Sequence, residues 1–217
     1  MTTPFGPPLI ALLAAAAVSL LLGWEGLWRR RAMPGAASLG WLGLAAGEWA
    51  LARALEALAP TPAAKIFWAK VEYLGIMGVP MFWVWFAAHY SRQWRAPPGR
   101  QAAWLGLAPA LTLALVWTNE AHGLIWPRIA VAPDGQNLIY DHGLGFWIAA
   151  LYNYALLLTG TLWIVRTVRH QPRWYRGPAA SLLAGLAVPW LANAGYLAGW
   201  RPLGNIDPTP VAFVVGG

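Results

Sequence analysis

The sequence predicts an all-α fold, a multi-pass transmembrane bundle of seven helices with its N-terminus outside and its C-terminus in the cytoplasm. Two observations carry that prediction. Apolar runs of about 20 residues, long enough to cross a bilayer's hydrocarbon core as helices, recur along the chain. Ten of the fifteen Lys and Arg residues fall in three short segments: Arg29 to Arg31, Arg92 to Arg100 and Arg166 to Arg176. They follow the first, third and fifth apolar runs, and basic clusters in short connecting loops mark the cytoplasmic side. The composition agrees: 59% of the residues are hydrophobic and 11% charged, whereas a soluble domain carries about 25% charge.

The first helix is expected over about 8–27. A secretory signal peptide has positive charge ahead of its apolar stretch, but here Met1 to Pro7 is free of basic side chains and Arg29 to Arg31 comes after it. That order favours an uncleaved helix. The second helix, about 37–58, returns outward and stops at Pro60 and Pro62. The third, about 65–90, runs in to the second Arg cluster and Pro97-Pro98, and the fourth, about 102–118, runs out. Residues 119–142 are then an outer loop. Within it Pro133-Asp134-Gly135 is a turn signal between Ile129/Val131 and the apolar residues from Leu138, so a short β-hairpin is plausible. The fifth helix, about 145–165, comes in to the third Arg cluster, and the sixth, about 178–199, goes out. Asp207-Pro208 reads as the start of a seventh. It reaches Gly217 over 208–217, too short to span, and is read as incomplete. All seven segments read as a single domain over 1–217.

A net charge of +7 would suit a nucleic-acid binder, but the basic residues sit at the ends of apolar runs and not on one polar face. That placement fits topology and contact with anionic lipid headgroups. With no cysteine, disulfides, thiolate metal sites and cysteine nucleophiles are excluded. Trp24, Trp28, Trp41, Trp68, Trp117, Trp147 and Trp200 lie near predicted helix ends, where an amphipathic indole prefers the membrane interface.

Charges inside a membrane are costly and need a partner or a function. At 1.5 Å of rise per residue, Arg53 and Glu72 each lie roughly 7–8 Å to the outer side of their helix midpoints. Asn193 on the sixth helix falls at a similar height, and Glu56 lies one turn beyond Arg53 on much the same face. Arg53, Glu56, Glu72 and Asn193, with Trp68 as an apolar wall one turn from Glu72, are therefore the candidate ligand-binding residues. The alternative is an Arg53–Glu72 ion pair that only sets the register of two helices.

Glu48, near the middle of the second helix, is expected as a protonated carboxyl bonded to Asn153 of the fifth, with a proton path as the rival role. Pro80 and Pro189 are expected to interrupt helices three and six. Asn119, Glu120, His122, Asp134, Asp141 and His142 offer nitrogen and oxygen ligands, but no two histidines stand at i, i+4. Helix capping by Asn119 and packing of Trp126 account for that segment better than a metal does. A retinal pigment needs a lysine deep in a helix, whereas Lys65 and Lys70 lie near the outer end of the third. His89 is the single histidine in a predicted span, which disfavours membrane haem. No His-Glu-x-x-His, Gly-x-Ser-x-Gly or P-loop pattern occurs. No cofactor is called for.

Several segments have a familiar order. They are Phe67 to Ile76 (FWAKVEYLGI) running on to Pro80 and Tyr90, and Trp117-Thr118-Asn119 followed by His122 and Trp126. After these come Gly145-Phe146-Trp147, Pro189 with Asn193 and Tyr196, and Asp207-Pro208-Thr209-Pro210 with Phe213. From about Ala37 onward the chain resembles the N-terminal seven-helix membrane region of bacterial histidine kinases. The resemblance implies a sensory input domain in the bacterial plasma (inner) membrane, whose seventh helix leads to a cytoplasmic output domain such as a PAS module, a kinase core or a cyclic-dinucleotide synthase. The phospho-acceptor helix and Gly-rich nucleotide box of such an output are not among these residues, so no catalytic residue is assigned. The partners expected are a small-molecule or membrane-borne ligand, the lipid bilayer and the output domain; a homodimer is compatible with this, and nucleic acid is not expected. The rival reading is a small multi-pass transporter or lipid-modifying membrane enzyme.

Overall fold

The computed structural model describes residues 7–29, 35–93, 100–133 and 137–169, and the three positions 191, 194 and 195. The helices expected over 178–199 (those three positions apart) and 208–217, with Pro189 and Asn193, lie outside the described residues.

Five long helices stand where five apolar runs were read: α1 (Pro7–Trp28), α2 (Ala36–Leu58), α3 (Pro62–Tyr90), α4 (Arg100–Trp117) and α6 (Leu144–Arg169). Between the last two come a single turn, α5 (Asn119–His122), and the strands β1 (Ile129–Val131) and β2 (Leu138–Tyr140). The strands form the anticipated antiparallel hairpin, with Ile129 opposite Tyr140 and Val131 opposite Leu138. The helices α1, α3 and α6 are long and apolar enough to cross a membrane, and α4 is a shorter apolar helix. The 23-residue α2 carries Glu48, Arg53 and Glu56.

Two boundaries differ from the sequence reading for identifiable reasons. The prolines that end α2 also begin α3: Thr61 Oγ1 accepts the Ala64 amide hydrogen at 3.2 Å and Pro62 occupies the first helical position. The link between the two helices is therefore only residues 59–61. At its far end α6 continues to Arg169, so Arg166 and Arg169 lie in its last turn, facing the carbonyl end of the helix dipole.

The helix α3 is the hub, packing against α2, α4 and α6, while α1 covers the other side of α2. The Asn153 side chain of α6 reaches the backbone of Ile76 and the Trp83 side chain of α3 reaches the backbone of Leu157, so these two helices run parallel. One buried cluster joins Leu42, Ala46 and Trp49 of α2 to Val79, Trp83 and Ala87 of α3 and Ile164 of α6. A second joins Ala69, Tyr73 and Met77 of α3 to Val116, Ile125, Trp126 and Ala149. The α1–α2 contact is backbone against backbone. A Cβ on Gly40 would stand 2.8 Å from the Leu27 nitrogen, and one on Gly23 would stand 2.7 Å from the Leu44 nitrogen. Small residues that let membrane helices touch gain close van der Waals packing, which must replace the hydrophobic effect in lipid.

Contrary to expectation, Pro80 does not interrupt α3, which is continuous from Pro62 to Tyr90. Nor does Asn153 bond to Glu48. Its Nδ2 donates to the Ile76 carbonyl at 3.2 Å and approaches Met77 Sδ at 3.5 Å. Both Glu48 oxygens are buried, and Oε2 lies against α3 at Gly75.

Candidate functional site

Three of the residues singled out in the sequence come together. Arg53 and Glu56 lie one turn apart on α2, and the Arg53 guanidinium forms an ion pair with the Glu56 carboxylate. The same nitrogen lies 3.8 Å from Glu72 Oε1 on α3. The three side chains are 14%, 5% and 11% exposed, so the charges are largely removed from solvent. One guanidinium thus stands between two carboxylates, and its nearer partner is on its own helix.

The fourth member was not foreseen. Tyr140, at the end of β2, donates its hydroxyl hydrogen to Glu56 Oε1 at 2.9 Å. Glu56 is therefore a bridge, one oxygen toward Arg53 and the other toward the 119–142 loop. Nothing in the sequence links positions 56 and 140, which only the fold brings together. The Tyr140 ring also packs on Trp126 at 5.0 Å between centroids, and Trp126 meets Tyr73 of α3 edge-on at 5.5 Å. Trp126 and Tyr73 are both buried. An aromatic group thus stands beside the polar chain and joins the loop to α3 directly.

The two lysines of α3 finish its neighbouring helices. Lys65 Nζ donates to the Glu56 carbonyl at 2.9 Å and to the Ala57 carbonyl at 3.4 Å, at the end of α2. Lys70 Nζ donates to the Trp117 carbonyl at 3.4 Å, at the end of α4, and binds Glu120 Oε1 at 2.6 Å. The last carbonyls of a helix lack partners and carry its negative dipole end, so a lysine there satisfies both needs. The hydrogen bond from Lys70 holds the Glu120 carboxyl below the usual carboxylate range.

Asn119 organises the loop more thoroughly than a helix cap would. Its Oδ1 accepts from the Ile125 and Trp126 amides, and its Nδ2 donates to the Trp126 carbonyl, all at 3.0 Å. His122 is used internally, its Nδ1 accepting from the Leu124 amide at 3.0 Å and its Nε2 meeting Thr118 Oγ1 at 3.1 Å. His142 stacks on Phe146 with centroids 3.7 Å apart. Among the described residues no three His, Asp or Glu side chains are grouped as metal ligands. Trp68 is half-buried, and its ring meets Phe67, which in turn meets Trp117 at the end of α4. Asn193 lies outside the described residues.

A model of the family described as the N-terminal 7TM region of histidine kinase matches residues 11–217. The chain belongs to this family. No curated protein and no solved structure gives a significant match. The 7TM region is the sensory, non-catalytic part of histidine kinases, so no enzyme activity is expected of these residues. The three apolar helices fit its membrane setting.

Proposed function

We propose that this histidine kinase 7TM region is a sensory input domain of a bacterial receptor in the plasma (inner) membrane, with seven spans and an outside N-terminus. An external or membrane-borne ligand biases the packing of the bundle, and the seventh helix passes the shift to a cytoplasmic output domain. A ligand can do this only by binding two bundle states with different affinity. The sensing site is placed at Arg53, Glu56, Trp68, Glu72 and Asn193, and Tyr140 is now added as the contact from the outer loop. The observation that carries the reading is the chain Tyr140–Glu56–Arg53–Glu72, which ties the loop, α2 and α3 through desolvated charges. A ligand group that competes for Glu56 would release Tyr140 and alter how the loop grips the helices.

A second reading draws on the same cluster: with Arg53 shared by both carboxylates, it can serve only to fix the register of α2 on α3. A chimera carrying a reporter kinase after a completed seventh helix separates the two. Glu72→Gln and Asn193→Ala should each lose the response to the natural cue while inserting at normal levels. If both variants insert normally and respond like the parent, register is all the cluster provides and sensing moves to the 119–142 loop.

A further inference from the structure

In an α-helix the carbonyl of residue 76 accepts the amide hydrogen of residue 80. Residue 80 of α3 is proline, which has no such hydrogen, and whose ring crowds that same carbonyl. A carbonyl freed in this way within a bundle needs another donor, because neither lipid nor a dry core supplies one. The donor here comes from the neighbouring helix: Asn153 Nδ2 of α6 is 3.2 Å from the Ile76 carbonyl oxygen. Asn153 is itself buried.

The next turn inward carries a bond in the opposite sense. Trp83 Nε1 of α3 donates to the Leu157 carbonyl of α6 at 3.2 Å. The indole is fully buried, and the absence of a side chain at Gly160 makes room for it, since a Cβ there would stand 2.7 Å from Nε1. The two bonds lie on either side of Pro80. Across this pair of parallel helices, one side chain from each reaches the backbone of the other.

We infer that Asn153 is a cross-helix latch for Pro80: it takes the place of the missing amide donor, holds α3 as one continuous helix against α6, and on release lets α3 bend further at Pro80 and part from the outer half of α6. The continuity of α3 at this proline is thus a property of the α3–α6 contact and not of α3 alone. Trp83, seated on the inner side of the proline, stays engaged and serves as the pivot. Any signal that separates the outer halves of these helices becomes a bend in α3.

The test exploits the missing hydrogen. Pro80→Ala restores an amide donor to the Ile76 carbonyl and makes the Asn153 bond redundant. In the full chain in lipid nanodiscs, spin labels on cysteines replacing Phe67 and Tyr90 would report the length of α3. Both positions are exposed, the native chain has no cysteine, and the span is about 35 Å. Asn153→Leu should add a second, shorter peak to the distance distribution, and Pro80→Ala together with Asn153→Leu should return it to one peak. An unchanged distribution in Asn153→Leu, or a second peak that persists in the double variant, overturns the latch. If Asn153→Leu fails to fold, recovery of a folded, single-peaked chain in the double variant supports it. Failure of the double variant as well shows that Asn153 serves something other than the carbonyl freed by Pro80, and overturns it.

Discussion

At Arg53 one cation is shared by two buried carboxylates, and the sharing decides what substitution should do. Arg53→Met removes the cation that Glu56 and Glu72 share and should destabilise the chain by about 3–5 kcal/mol, the usual result of breaking a buried ion pair by removing one partner. Thermal unfolding in detergent would read it. Glu56→Gln should cost more than Glu72→Gln, because Glu56 makes the closer ion pair and also accepts from Tyr140. Exchanging the charges of positions 53 and 72 should recover little, since the new carboxylate at 53 would lie one turn from Glu56. Glu120 gives a pH dependence of known sign. Its carboxyl is held below the ordinary range by Lys70, so the folded chain gains stability above that range and loses it as the pH falls through the depressed value. Being 67% exposed, it contributes a small share that salt should screen. In Glu120→Gln that acid-side loss, followed as the change in melting temperature between neutral and acidic pH, should disappear.

Among the elements, the α1–α2 pair and the 119–142 loop depend on different kinds of contact. The helices α1 and α2 meet where glycine leaves the backbones bare, so Gly40→Leu forces them apart. The expected loss is at least the roughly 1–3 kcal/mol of an overpacked site, since backbone atoms are the obstacle. Gly106→Leu on α4, where a Cβ would meet nothing within 4 Å among the described residues, is the control and should be close to neutral. The 119–142 loop is held by hydrogen bonds instead. Asn119→Ala removes three of them, each worth about 1 kcal/mol net, and leaves buried backbone groups of Ile125 and Trp126 without partners. Amide exchange over 119–131 should speed up markedly, while α1 and α2 keep their protection.

For the whole molecule, the testable property is its threading through the membrane. Residues 28–36, 91–101 and 166–177 are expected in the cytoplasm and 119–142 outside. Because the native chain has no cysteine, single substitutions can be labelled against a blank background. The label position matters: Ala132 is buried, whereas the adjacent Val131 is 58% exposed. A cysteine at Val131 should react with an impermeant maleimide in intact cells. Reaction only after permeabilisation would invert the topology and place the polar cluster at the opposite membrane face.

The sequence by itself determined the five long helices described and their order, because spanning length, apolar content and helix-ending prolines are local properties that any neighbour would leave intact. It also pointed to Arg53, Glu56 and Glu72, since a charge in an apolar run is conspicuous and helix rise converts position into depth. Which partner each charge takes was decided by the tertiary structure. Depth does not give the direction of a side chain, so the closeness of Glu56, the arrival of Tyr140 and the turn of Asn153 away from Glu48 toward Ile76 were all invisible. Pro80 shows the difference most plainly. Its own chemistry predicts a break in α3, and the donor that keeps the helix continuous sits 73 residues further along the chain, on a helix that only folding brings alongside.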